Sequence, residues 1–327
     1  MRARVCSNST RRNAILTEES IPATNGLPLA WSNDTVEPLR PYRMPAQISG
    51  DAGVGMFAPL RLLWNGTRGL GCADPMPDPA TLESFYRDAY RRVMNKRRDI
   101  DNYITSPNYQ AQTRSQAAWI KAAAPATGEW LDVGAGYGML LHTVRREMPD
   151  WRLTAVEPDN EAEASLCALA ILERDFAGFW ERRVLSPSAF DVISLSHVFE
   201  HLIDPVSSLM ALRHYLKTGG LLMIEVPNDT REELMREART SDLPHLWFFS
   251  HSGLVALLSR AGFDVLRSAE IGIRRPGSMD PIRIRARRIL TRQLYGPLAI
   301  LDDRTWYAEG PDRCDLRILA RKRELSH

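Results

Sequence analysis

From about residue 115 onward, short apolar runs alternate with segments whose apolar residues recur every three or four positions. The runs at 129–133, 152–156, 190–195, 220–226, 263–269 and 314–321, with a weaker one near 171–174, predict strands. The segments between them predict amphipathic helices, and this alternation is that of a mostly parallel sheet with helices on both faces. Upstream, residues 1–75 are rich in Pro, Gly, Asn and Ser and predict an irregular extension with short apolar runs such as 60–64. Two helices are predicted before the first strand. One spans 81–99, with Leu82, Phe85, Tyr86, Ala89, Tyr90 and Val93 on one stripe, and the other spans 115–123. The chain thus divides into an extension over 1–114 and an α/β domain over 115–327.

The first strand closes on Asp132 and runs into Gly134, Ala135, Gly136, Tyr137 and Gly138, after which 139–144 reads as helix. Glycine is required where a backbone turns through positive φ or a ligand must approach closely. The free amides of a helix N-terminus then receive an anion. A dinucleotide fingerprint would need a third glycine at position 139, which is Met139. The next strand ends on Glu157 and Pro158, about 20 residues beyond Gly136, the offset at which a strand-end acid meets a ribose hydroxyl pair.

The Asp-x-Gly-x-Gly-x-Gly pattern resembles motif I of class I S-adenosylmethionine-dependent methyltransferases. That resemblance implies a Rossmann-like seven-stranded sheet and S-adenosylmethionine as cofactor. It also implies that Asp132 helps hold the cofactor's amine. In that family an acid closing the third strand often meets the adenine amino group. Asp175 has that place if 171–176 is the strand, and loses it if the segment is the tail of the preceding helix.

Residues 189–202 carry the second signal. A strand ends at Ser196 and His197, and Glu200-His201 follow at the carboxyl edge where ligands of open α/β sheets collect. Asp204-Pro205 open a helix predicted to run to Leu216, with Lys217 in its last turn and Gly219-Gly220 ending it. Together with 245–251 and 261–263, this run resembles the ubiquinone-biosynthesis and sugar-methylating branch of the family. A hydroxyl nucleophile must lose its proton, and histidine supplies a base near neutrality. His201, His197 and His245 are the candidates. Each also has the bland reading of a hydrogen-bonded loop histidine. Glu200 would orient His201 or cap the helix. Trp247, Phe248 and Phe249 read as core or as a wall around the acceptor, and Ser250 as a helix N-cap.

Net charge is +2 and no segment has the length of a membrane span. Residues 1–14 are basic and polar without an apolar centre, so a cytoplasmic protein is expected. Cys6, Cys72, Cys167 and Cys314 predict no disulfide framework and no intact metal motif, so no metal is expected. Residues 64–90, through Asp74-Pro-Met-Pro-Asp-Pro and Leu82 to Tyr90, resemble the segment after a small zinc ribbon in sugar C-methyltransferases. The expected cysteine pairs fall on Cys6 with Ser9 and on Trp64 with Thr67, so the resemblance implies a metal-free remnant beside a lid helix. Residues 274–292, within a basic insertion near 274–310, hold seven arginines against one acid. They read as a solvated face, as recognition of a phosphate, or as peripheral membrane contact.

The expected activity is O-methylation of a small-molecule acceptor, a sugar, nucleotide-sugar or glycan. The alternatives are a phenolic or polyketide-like metabolite or an amine. An NAD-type oxidoreductase and a silent cofactor-binding module are the readings from other classes. With no Asn-Pro-Pro-Tyr motif or RNA-binding module, no nucleic-acid partner is expected; a homodimer is among the expected states.

Overall fold

The computed structural model describes residues 36–42, 60–90, 107–169, 171–173, 185–235, 245–273, 307–309 and 315–324. In chain order the strands are β1 (Glu37–Tyr42), β2 (Leu60–Asn65) and β3 (Leu70–Asp74), followed by α1 (Pro79–Ser84) and α2 (Pro107–Lys121). Next come β4 (Glu129–Val133), α3 (Met139–Glu147), β5 (Arg152–Val156), α4 (Glu163–Leu169), β6 (Ile171–Glu173) and β7 (Phe190–Ser196). The remainder is α5 (Pro205–Tyr215), β8 (Leu216–Pro227), α6 (Arg231–Met235), β9 (Trp247–Phe249), α7 (His251–Arg260), β10 (Phe263–Ile273), β11 (Tyr307–Glu309) and β12 (Asp315–Lys322).

The main sheet has the order β11-β10-β12-β8-β7-β4-β5-β6. Strands β4 to β8 run parallel, and β12 lies antiparallel between β8 and β10. All the predicted strands form, and β11 adds an eighth at the edge. Central strands are buried on both faces, which is why β4, β5 and β7 read as continuous apolar runs. Crossing from β4 outward to β5 on one side and to β7 on the other leaves a crevice at their carboxyl ends. That crevice is the topological switch point of such sheets.

Three features differ from the sequence reading. First, α5 ends at Tyr215 and strand geometry begins at Leu216, four residues earlier than expected. The register jumps from Phe190↔Leu216 to Val192↔Leu221, so Lys217–Gly220 form an irregularity inside the strand. Gly219 has φ +71°, a conformation that serves a bulge as well as a helix end. Second, part of the irregular extension is ordered: β1, β2, β3 and β9 form an antiparallel sheet. Leu70–Cys72 pair with Trp247–Phe249. Those three aromatics are core, each at most 1 % exposed, not an acceptor wall. Trp64 packs with Leu62, Ala73, Leu234 and Phe248. Third, Cys167 is disulfide-bonded, whereas no disulfide framework was expected. Cys72 is free, and burial with the nearby Asp74 charge pushes its thiol up to about 12.

Of the predicted 81–99 helix, α1 and the wider turn Phe85–Ala89 continue to Tyr90; residues 91–99 lie outside the described set. Asp78 caps α1, Asp204 caps α5 and Ser250 caps α7, each accepting from amides of the first turn. Among the described residues no helix is long and apolar enough to cross a membrane.

Candidate active site

The loop between β4 and α3 is built on three left-handed glycines, Gly134, Gly136 and Gly138, at φ +68°, +56° and +80°. Gly134 and Ala135 both donate to the carbonyl of Val156, at 2.7 and 3.2 Å, tying the loop to the end of β5. A Cβ on Gly134 would lie 2.2 Å from Val198 Cγ2, and one on Gly138 would lie 2.9 Å from Leu169 Cδ1. A Cβ on Gly136 would meet nothing within 4 Å. Two glycines therefore answer to packing, and Gly136 to open space beside it. Gly138 is the N-cap of α3 with no side-chain capping bond, which leaves the first-turn amides available.

That space is a cavity of about 380 Å³. It is lined by Asp132, Gly134, Ala135, Gly136, Glu157, Pro158, Ser196, His197 and His201, all named from sequence. Gly138 and His245 do not line it; Gly138 shapes the loop from behind, and Asp175 lies outside the described residues. Tyr86 and Tyr90, from the segment expected as a lid or side wall, line it too, and sequence reading missed Tyr109, Gln112, Thr113 and Gln116, which close the cavity from the N-terminal side. Nothing in the local pattern of α2 announces a ligand wall. Its polar residues at 112, 113 and 116 are the one available signal, since they share a face with buried Ala117 and Ile120.

Two carboxylates face the cavity. Oε2 of Glu157 accepts from the Gly136 amide at 2.7 Å and Oε1 from the Asp159 amide at 3.0 Å. Oδ1 of Asp132 accepts from Ser194 Oγ at 2.6 Å, and that hydroxyl accepts from Trp130 Nε1 at 2.8 Å. Burial pushes Asp132 up to about 7, against the pull of the Ser194 bond and with some help from the Glu157 charge. A cationic partner is what such a carboxyl lacks.

The α2 wall is held by a buried ion pair. Arg317 Nε donates to Glu225 Oε2 at 2.7 Å, both side chains fully buried. Gln112 and Gln116 donate to the same carboxylate at 2.6 and 2.9 Å, and Arg317 also donates to Ser115 Oγ at 2.8 Å. A second bond from Gln116, at 2.9 Å, reaches Ser196. Thus β8 and β12 position the helix that covers the site.

On the acceptor side, His197 adopts φ +54°, a costly conformation that histidine tolerates better than most and that gathers at functional sites. Burial works against its charge, but Glu200 Oε1 at 3.5 Å, Asp315 and Glu225 prevail and raise it to about 9. A histidine charged at neutrality is a donor, not a base. Glu200 is opposed by its own burial, yet His197, His201 and His245 hold it at about 2. His201 sits edge-on to Tyr86 at 5.6 Å and to His245 at 4.9 Å.

Residues 108–268 match the family described as Methyltransferase domain. The tRNA U34 carboxymethyltransferase of Methylococcus capsulatus is 29% identical over 182 residues, covering 49% of this chain and 53% of that protein. The enzyme of the same name from Pseudomonas fluorescens is 33% identical over 88 residues, 26% of this chain and 28% of its own. The chain spans about half or less of the length of these relatives. A solved S-adenosylmethionine-dependent methyltransferase from Thermotoga maritima shares 17% identity, with TM-score 0.49 over 72% of this chain and 98% of that one. The relatives' names correct two expectations from sequence, the sugar-type small-molecule acceptor and the absence of any nucleic-acid partner.

Proposed function

With residues 108–268 an S-adenosylmethionine-dependent methyltransferase domain, we propose that the chain transfers to RNA, with transfer RNA as the acceptor class, the methyl group of S-adenosylmethionine or the carboxymethyl group of a form of that cofactor carboxylated on the same carbon. The cofactor supplies an electrophilic carbon on a sulfonium. The observation that carries the cofactor half is the pair of carboxylates, Asp132 and Glu157, set around the open space beside Gly136. Asp132 would hold the cofactor's ammonium and Glu157 its ribose hydroxyls, while the uncapped start of α3 meets its carboxylate.

Much of the acceleration in a displacement of this kind comes from holding two reactants in line. The wall of Tyr86, Tyr109 and α2 excludes water and confines the acceptor. His201 lines the cavity and orients the acceptor, and His197, charged at neutrality, orients Glu200 or an acceptor oxygen. The acceptor half draws on the relatives' names and on the arginines of 274–292, which suit a phosphate backbone. Residues 1–114 form an extension of the transferase domain over 115–327.

The test is incubation of the full chain with methyl-labelled S-adenosylmethionine and bulk transfer RNA, followed by digestion to nucleosides. Mass analysis of transfer RNA from cells with and without the gene runs beside it. A modified nucleoside dependent on the protein is expected. A chain that binds S-adenosylhomocysteine yet alters no nucleoside in either arm overturns the acceptor assignment.

A further inference from the structure

We propose that Glu200, His201 and His245 form a binding site for a divalent first-row transition cation on the acceptor side of the cavity. One ligand atom from each lies within 4.8 Å of the others. Their backbones are locked together, because the Leu246 amide donates to the Glu200 carbonyl at 2.8 Å. The short turn Phe199–His201 after β7 thereby presents Glu200 and His201 to the residue that precedes β9.

Glu200 carries the inference. It is fully buried, and neither carboxylate oxygen has a hydrogen-bond partner. Its nearest nitrogens are His197 Nδ1 at 3.5 Å and His201 Nε2 at 3.8 Å. A charge-assisted bond from an imidazolium would close to about 2.7–2.9 Å. Ligands around a tetrahedral zinc, at about 2.0–2.2 Å from the ion, stand roughly 3.3 Å from one another. The separation from His201 is nearer the second spacing, and a rotamer adjustment of under about 1 Å completes it. Buried carboxylates persist when paired or when they coordinate a metal. Two imidazoles and one carboxylate suit zinc or its neighbours and leave a coordination position open. Of the three, His201 also lines the cavity, which places the site at the cavity's edge.

The neighbouring group of His197, Glu225 and Asp315 has similar spacing but a different fate. There Glu225 is already occupied by Arg317, Gln112 and Gln116.

The experiment uses the full chain, free of any affinity tag and stripped by a chelator, titrated with Co²⁺ and Zn²⁺. Elemental analysis after desalting and the visible d–d absorption of Co²⁺ are the readouts. One equivalent of cation is expected, with Zn²⁺ displacing Co²⁺. Glu200→Gln and His245→Ala should each weaken binding by more than the roughly tenfold that loss of an outer-shell partner costs. S-adenosylhomocysteine binding by each variant reports an intact fold. A stripped wild-type chain that retains no cation, or a folded Glu200→Gln chain with the wild-type spectrum, overturns the site. No RNA enters these measurements, so failure of the acceptor assignment leaves their outcome unchanged.

Discussion

The backbone N–H of Gly136 donates to Oε2 of Glu157 at 2.7 Å, joining the loop after β4 to the end of β5. The carboxylate is thereby aimed before any ligand arrives. Glu157→Ala should weaken S-adenosylhomocysteine binding by about 1–3 kcal/mol, the cost of leaving buried polar partners unmatched. Titration calorimetry reads this directly, and an unchanged affinity removes Glu157 from the ribose site.

Gly134 and Gly136 should respond differently to alanine. At Gly134 the added methyl collides with Val198 at 2.2 Å, on a left-handed backbone, so the fold itself loses several kcal/mol, as overpacking and strain combine. At Gly136 only the left-handed conformation costs, about 1–2 kcal/mol, and the methyl enters the cavity. Denaturant midpoints should fall further for Gly134→Ala, and cofactor affinity should be the main loss in Gly136→Ala. The opposite order would remove the packing argument.

Two buried carboxyl groups and the half-exposed His197 divide the pH dependence of stability. Asp132, raised from 3.8 to about 7, binds a proton more tightly when folded, so its contribution weakens the ligand-free fold progressively from about pH 4 to 7. His197, raised from 6.5 to about 9, stabilises fully below 6.5 and loses that contribution as pH climbs to 9. Glu200, lowered from 4.5 to about 2, stabilises above 4.5 and loses its contribution as pH falls toward 2. Melting temperature against pH should show Asp132→Asn abolishing the first decline and His197→Asn the second, asparagine being tolerant of the left-handed conformation. A first decline that persists in Asp132→Asn contradicts the assignment.

Removing one partner of a buried ion pair leaves the other uncompensated, typically at 3–5 kcal/mol. Arg317→Met should therefore lower unfolding free energy by about that amount. It should also loosen α2, because Gln112 and Gln116 share the Glu225 carboxylate. Urea unfolding measures the first effect and amide exchange over Pro107–Lys121 the second. Unaltered exchange there would show that Arg317 does not position the helix.

Much of the architecture is legible in the sequence. Continuous apolar runs such as 129–133 and 190–195 belong to strands buried on both faces, and burial on both faces leaves no alternation to misread. Gly219-Gly220 was misread because positive φ serves a helix end and a strand bulge equally; only pairing with Phe190 and Val192 decides between them. The strands β1 to β3 are short, and they pair mainly with one another inside a Pro- and Gly-rich stretch; only β3 meets the distant β9, so no long apolar run marks them. The aromatic triplet 247–249 showed its apolar character plainly, but not which surface covers it.

The sequence by itself determined the fold class, the glycine loop and the two carboxylates, since each depends on residues adjacent in the chain and on local backbone geometry. Tertiary structure alone decided that α2 walls the cavity and that Arg317 secures it through Glu225. It also decided that Glu200 stands buried among three histidines. Those relationships join residues from separate elements, and their energies come from burial and charge at distances that no local pattern encodes.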